Sequence, residues 1–163
     1  MSGQAIRIRV LDGYMPYEEA RALQLETVDA VKAGGVDTLF LLEHEPVVTL
    51  GRNASAAAGV VATDEELANN GIAVHRAERG GQATYHGPGQ IVGYPVVDLH
   101  RARLGVAQYV RGLEETMLRA ARAFSVEAGR REGVVGVFAD HGRGGKIGAI
   151  GVRVSRGIAF HGF

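Results

Sequence analysis

The sequence contains no cysteine. Disulfides, thiolate metal sites and a cysteine nucleophile are therefore excluded within its 163 residues. No apolar run approaches the ~18 residues of a membrane span. The first residues, MSGQAIRIRVLDGY, lack the apolar core and small-residue cleavage site of a secretory signal. A cytoplasmic location without membrane association is expected. Lysine is almost missing too: Lys32 and Lys146 stand against 16 arginines. Net charge is zero but unevenly spread, with 7 Lys/Arg against 13 Asp/Glu in residues 1–100 and 11 against 5 in residues 101–163. Arg101, Arg103, Arg111, Arg119, Arg122, Arg130 and Arg131 suggest a basic face for acidic partners. No aromatic residues interleave with them as stacking on nucleic acid would need, so nucleic acid is not expected.

What is plentiful is glycine, at 24 residues roughly twice the ~7% average. With 46% hydrophobic and 22% charged residues the chain reads as one globular domain over 1–163. Ile6, Ile8 and Val10 alternate with Arg7 and Arg9, the pattern of a half-buried strand. Pro16, Glu18 and Glu19 open a helix that Gly34-Gly35 stops, with Ala20, Leu23, Thr27 and Val31 on one face. TLFLLE (38–43), VVTL (47–50) and IAVHRA (72–77) read as strands. Thr63 and Glu66 have capping-box spacing for a short helix. IVGYPVVDL (91–99) reads as a strand that Pro95 pushes toward an edge or a bulge. The longest helical pattern covers 106–124, with Val110, Leu113, Met117, Ala120, Ala121 and Phe124 on its apolar face. VVGVFA (134–139) and the end of 141–154 add strands. The class is α/β or α+β, around one mixed, partly antiparallel central sheet.

The glycine clusters do not spell a nucleotide loop. A P-loop ending at Gly145-Lys146 would need glycine at Asp140 and Ser or Thr at Ile147. A GxGxxG fingerprint from Gly87 fails at Val92, and one from Gly142 fails at Ile147. Val48 stands where a zincin would place its second histidine after His44-Glu45. The six histidines show no metal spacing, so neither a metal nor another cofactor is expected.

Two segments remain, Arg79–Gln90 and Gly142–Gly151. Glycine at this density lets backbone approach a ligand and leaves N–H groups free. Two tight turns at sheet corners are the plain alternative. Lys146 sits among glycines at a strand start, where a residue able to lose its proton has a use that arginine lacks. Thr84, Tyr85 and His86, followed by Gly87-Pro88-Gly89-Gln90, suit the lining of a pocket. His161-Gly162-Phe163 would supply a third wall or simply pack.

RGGQATYHGPGQIVGYPVVDL (79–99) closely resembles the signature of the lipoyl(octanoyl) transferases. LLEHEPVVTLGRNA (41–54) and KIGAIGVRVSRGIAFHGF (146–163) fit that family in the same order. The resemblance implies the biotin/lipoate ligase-like fold. It also implies transfer of an octanoyl group, through an acyl-enzyme thioester, from octanoyl-acyl carrier protein to a lysine of a lipoyl domain. The lipoyl domains would be those of 2-oxoacid dehydrogenase complexes or the glycine cleavage H protein. It places the acyl pocket on Arg79, Gly80, Gly81, Gln82, Ala83, Thr84, Tyr85 and His86, on Ala149, Ile150 and Gly151, and on Gly162 and Phe163. Lys146 matches the lysine that activates the nucleophile. The family's nucleophilic cysteine lies downstream of HGF, whereas the sequence stops at Phe163, so a catalytic domain lacking its C-terminal part is expected. Apolar surface should then be exposed around Ile158, Phe160 and Phe163. Gly157 replaces an aromatic usual in the family, and Glu45 stands where proline is common. Two other readings remain open: a domain that binds acyl chains or carrier protein without turnover, and an ATP-dependent lipoate or biotin ligase.

Overall fold

A computed structural model describes residues 5–53, 55–139 and 145–163. Strand β1 (Ile6–Met15) is followed by helix α1 (Tyr17–Lys32), β2 (Asp37–His44), β3 (Val47–Leu50) and the short helix α2 (Asp64–Asn69). Then come β4 (Ala73–Arg76), β5 (Ala83–His86), β6 (Val92–Asp98) and helix α3 (Val106–Ala123). The chain closes with β7 (Ala128–Arg131), β8 (Val134–Ala139), β9 (Lys146–Gly148), β10 (Gly151–Ser155) and β11 (Ile158–Gly162).

Five strands form a mixed sheet in the order β1-β2-β6-β11-β10; only β1 and β2 run parallel. Two three-stranded sheets, β4-β3-β5 and β7-β8-β9, flank it. Because strand side chains alternate between faces, β6 feeds two cores. Val92, Tyr94 and Val96 meet Ala20 and Val31 of α1, with Phe40, Leu42, Ile158 and Phe160. Val97 meets Tyr109 and Leu113 of α3 on the other face, with Leu99 and Ala159. Burial of each large apolar side chain stabilises the fold by about 1.5–3 kcal/mol.

The expected punctuation is present. Gly34 N–H bonds Val31 O at 3.0 Å and Gly35 N–H bonds Ala30 O at 2.9 Å, the paired bonds of a Schellman stop, with Gly34 at φ 94°. At α2, Glu66 N–H bonds Thr63 Oγ1 at 3.2 Å, while Thr63 N–H bonds Glu66 Oε2 at 2.8 Å.

Three expectations are corrected. First, β1 is not half-buried: Ile6, Ile8 and Val10 are 46%, 60% and 68% exposed. The strand lies at the sheet edge, and no element covers that face among the described residues. Second, Pro95 sits in an interior strand between β2 and β11. Gly93 and Phe163 exchange both backbone hydrogen bonds, at 2.7 and 3.0 Å, so the next bonded pair of an antiparallel ladder would be Pro95 with His161. Proline has no N–H to give. His161 takes φ 56° instead and donates its N–H to Gln24 Oε1 of α1 at 2.9 Å. The missing bond is thus replaced from a helix, and a central proline is tolerated. Third, Ile158 and Phe160 are only 3% and 4% exposed, because β11 is an inner strand of the large sheet; Phe163 is half-buried.

Gly157 is explained by space. It has φ 83°, and a Cβ there would strike the His100 imidazole. The basic face is largely engaged internally. Arg101 pairs with Asp37, Arg119 with Glu115, and Arg130 with Glu114 and Glu115, while Arg131 stacks on Phe138 at 4.4 Å. No helix among the described residues is long and apolar enough to cross a membrane.

Candidate active site

A cavity of about 580 Å³ lies where β5, the end of β11, the β9–β10 segment and α3 converge. One part of its wall is polar and mostly buried, carrying Tyr17, Arg79, His86, Tyr94 and His161 with the half-buried Thr84. Another part is apolar and open, carrying Met117, Ala120, Ala121, Phe124, Val126 and Ile147. Lys146, Ala149, Ile150, Gly151, Gly162 and Phe163 also line it.

Strand alternation sorts the first segment. β5 pairs antiparallel with β3, Thr84 opposite Thr49 and His86 opposite Val47. Thr84 and His86 consequently turn to the cavity, while Ala83 packs on Val48, Leu50 and Leu67 and Tyr85 is exposed. Gly80, Gly81 and Gln82 are not in the cavity wall either. Gly87–Gln90 is a turn closed by Gln90 N–H to Gly87 O at 3.1 Å, with Pro88 preset for its second position and Gly89 at φ 84° for its third.

Arg79 is 7% exposed and meets no carboxylate among the described residues. Its Nη2 donates to Thr49 O at 2.8 Å and Thr49 Oγ1 at 2.7 Å, and its Nη1 donates to Gly80 O at 3.0 Å. Burial pushes its pKa down, yet arginine stays charged. The guanidinium therefore fastens the 79–81 turn to β3.

Burial favours the neutral form of His44, His86 and His161. Burial chiefly lowers His86 to about 4, and likewise His161 to about 4 despite nearby Glu78. Burial lowers His44 as well. Hydrogen bonds fix two tautomers. His44 Nδ1 lies 2.8 Å from Met15 O and must donate to it, so Nε2 accepts from the Tyr94 hydroxyl at 2.7 Å. Gln90 Nε2 donates to Tyr85 O at 3.1 Å, so its Oε1 accepts from His86 Nδ1 at 2.7 Å. His86 Nε2 keeps a lone pair, 3.5 Å from Thr49 Oγ1. Tyr17 Oη and His161 Nε2 are buried and make no hydrogen bond among the described residues. At neutral pH this part of the wall presents mainly uncharged rings, which an alkyl chain tolerates.

Glycines admit the close approaches. A Cβ on Gly151 would lie 2.9 Å from Arg79 Cδ, and one on Gly148 would lie 2.6 Å from Met117 Sδ. A Cβ on Gly93 would fall within the Phe163 ring. Lys146 is an exposed residue at the start of β9. Its Nζ donates to Val135 O at 2.9 Å and sits 5.3 Å from the centre of the Phe138 ring. Residues 142–144 of the second glycine-rich segment lie outside the described residues.

Residues 16–163 match the lipoyl protein ligase A/B catalytic domain. The chain belongs to that family. An octanoyltransferase of Koribacter versatilis is 44% identical over 160 residues, covering 96% of this chain and 63% of the relative. One from Rubrobacter xylanophilus is 45% identical, covering 98% and 71%. One from Mycobacterium tuberculosis is 43% identical, covering 98% and 65%. The chain thus spans about two thirds of the length of these curated relatives. Among solved structures, a bipartite lipoate protein ligase of Thermoplasma acidophilum superposes with a TM-score of 0.70 at 19% identity, covering 96% of this chain and 60% of that one. Lipoate-protein ligase A bound with ATP gives 0.69 at 20%, covering 94% and 64%. These two share the fold, a mixed α+β architecture of the expected ligase-like kind.

The family's sequence signature carries Arg79, Thr84, His86 and the 149–151 segment into one cavity. Sequence reasoning missed Tyr17, Tyr94 and the α3 residues. The sequence places Met117, Ala120, Ala121 and Phe124 on the apolar face of a helix, and the helical period is the same for a core and for a cavity wall.

Proposed function

We propose that the chain forms the acyl-holding part of an octanoyltransferase, which takes an octanoyl group as a thioester from acyl carrier protein and passes it to a lysine of a lipoyl domain. The observation that carries this reading is the shared cavity: Lys146, Ala149–Gly151, His86 and Phe163 line one slot. The octanoyltransferase relatives at 43–45% identity supply the acyl length. An eight-carbon tail buried there gains about 0.8 kcal/mol per CH₂.

In such a transfer a cysteine thiolate attacks the thioester carbonyl and the carrier's C–S bond breaks, releasing the carrier thiolate. The substrate amine then attacks the acyl-enzyme, losing a proton and regenerating the thiolate. The sequence has no cysteine, so these residues do not supply that thiol. What they supply is the pocket, the backbone of the glycine-rich segments, and an amine at 146. Lys146 is the group proposed to steady the thiolate as a cation, to give its proton to the departing carrier thiolate, and then, as the neutral amine, to take the proton of the incoming amine. A thioester is already activated, so ATP is not needed.

The test is a titration of the ¹⁵N-labelled chain with octanoate and with octanoyl carrier protein. Amide shifts are expected at Ala149, Ile150, Gly151 and Phe163, with no mass increase after treatment with the octanoyl carrier protein. Absence of shifts with both ligands would overturn the reading. ATP–pyrophosphate exchange would favour a ligase. A hydroxylamine-resistant octanoyl adduct would show acylation of a lysine rather than of a thiol.

A further inference from the structure

A second hollow, of about 410 Å³, backs onto the turn that walls the acyl cavity. It is bounded by Arg52, Glu78, Gly80, Gly81 and Arg153, with Asn53, Val152 and Val154. Gly80 N–H bonds Val152 O at 3.0 Å, tying the floor of this hollow to β10. The neighbours in sequence, Arg79 and Gly151, line the acyl cavity on the other side. The 79–81 turn and the start of β10 thus contribute to the lining of both spaces.

The charge in this hollow is unbalanced. Many of the chain's arginines have internal partners: Arg21, Arg101, Arg119 and Arg130 pair with carboxylates, and Arg9 and Arg131 lie over aromatic rings. Arg52 and Arg153 form no ion pair among the described residues. The one acid of the hollow, Glu78, is already held by Arg21, whose Nε donates to Glu78 Oε2 at 3.2 Å, and lies 3.6 Å from His161 Nε2. It therefore does not neutralise the two cations. A pair of free guanidiniums around a concave glycine backbone matches a tetrahedral oxyanion, which arginine binds with paired N–H donors. The bare backbone of Gly80 and Gly81 leaves room for such a group to approach.

We propose that Arg52 and Arg153 form a phosphate-binding site that receives the phosphate of the acyl donor's phosphopantetheine arm. The donor half of this statement rests on the octanoyltransferase reading; the anion site does not. The arm carries its phosphate at one end and its thioester at the other. A site just outside the acyl cavity anchors the first while the second stands at the cavity.

The experiment uses the full 163-residue chain and follows arginine Nε and backbone amide resonances. Three probes are titrated separately: inorganic phosphate, 4′-phosphopantetheine and pantetheine without phosphate. Shifts are expected at Arg52, Gly81 and Arg153 with both phosphate probes and not with pantetheine. Phosphopantetheine is expected to bind at least tenfold more tightly than pantetheine. The double variant Arg52→Ala/Arg153→Ala should erase that difference, whereas Arg52→Lys/Arg153→Lys should restore part of it, because charge returns without the paired geometry. Arg52 is exposed and Arg153 half-buried, and an unchanged melting temperature would show that the variants fold. Equal affinity for phosphopantetheine and pantetheine overturns the proposal, as does a phosphate affinity untouched by the double alanine variant. Inorganic phosphate binding as tightly as phosphopantetheine would keep the anion site and remove the arm. Octanoate is titrated alongside. Shifts at 149–151 with octanoate but none at Arg52 or Arg153 with phosphate sink this proposal alone, and the reverse sinks the acyl reading alone.

Discussion

The two parts of the cavity wall are made in opposite ways. Around Arg79 most polar groups are tied down: the guanidinium is bonded to Thr49 and Gly80, His86 to Gln90, and His44 to Met15 and Tyr94, while Tyr17 Oη and His161 Nε2 make no hydrogen bond. Along α3 the wall is made of unbonded apolar side chains, with Phe124 80% exposed. The first part is expensive to disturb because buried polar groups that lose a partner keep their desolvation cost. The second is cheap to disturb because little has been removed from water there. Stability should therefore depend steeply on the first and weakly on the second, although both face the same space.

Arg79→Met should show the largest effect. The substitution keeps much of the volume but strips donors from Thr49 O, Thr49 Oγ1 and Gly80 O. Relief of the buried charge offsets part of this loss. A net cost of about 2–4 kcal/mol is expected, measured by urea unfolding. A loss below about 0.5 kcal/mol would mean that the turn is held by other contacts.

Acid should discriminate the two parts as well. His86 and His161 stand at about 4 in the folded chain against 6.5 unfolded. Between these values the unfolded chain binds protons that the folded one refuses, so stability is full above pH 6.5 and falls as pH drops toward 4. The loss is on the order of 3 kcal/mol per histidine at its limit. Glu78, lowered from 4.5 to about 2 by its bond with Arg21, adds a further loss as pH falls below 4.5. Urea curves at pH 7, 6, 5 and 4.5 read the histidine limb. His86→Gln should flatten part of it, and a midpoint that stays constant from pH 7 to 5 would contradict neutral burial.

Gln24→Leu tests the repair opposite Pro95. It leaves the His161 N–H buried without an acceptor, which should cost about 1–3 kcal/mol. It should also disturb His161 and Phe163 amide shifts more than those of α3. A silent substitution would mean that the Pro95 gap is satisfied some other way.

This repair also shows where sequence stops being informative. The Thr63–Glu66 box, the Gly34-Gly35 stop and the 134–139 strand were legible because each depends on neighbours a few residues away. The Pro95 strand was misplaced because its compensation comes from Gln24, 137 residues from His161. The Ile6-Ile8-Val10 alternation correctly gave a strand, but period two says which side chains share a face, not whether anything covers it. β5 was hidden because four residues between glycine-rich flanks give too short a pattern, and only its pairing with β3 defines it. The site followed the same rule. The signature segment named Arg79, Thr84 and His86. Alternation along β5 then turned Ala83 and Tyr85 away, and neither Tyr17 nor the α3 wall carries a local mark of facing a cavity.

The smallest expected effect lies on the α3 side. Phe124 ends that helix with its ring mostly in water, so Phe124→Ser removes almost no buried area. The cost to stability should stay within about 0.5 kcal/mol, and the urea slope should not change. The same substitution takes an exposed aromatic off the rim of an apolar surface, so self-association at high concentration should fall, read by sedimentation. If Phe124→Ser instead cost as much as Gln24→Leu, the ring would have to be packed in solution. The contrast between a bonded wall and an open one would then be wrong at its most exposed point.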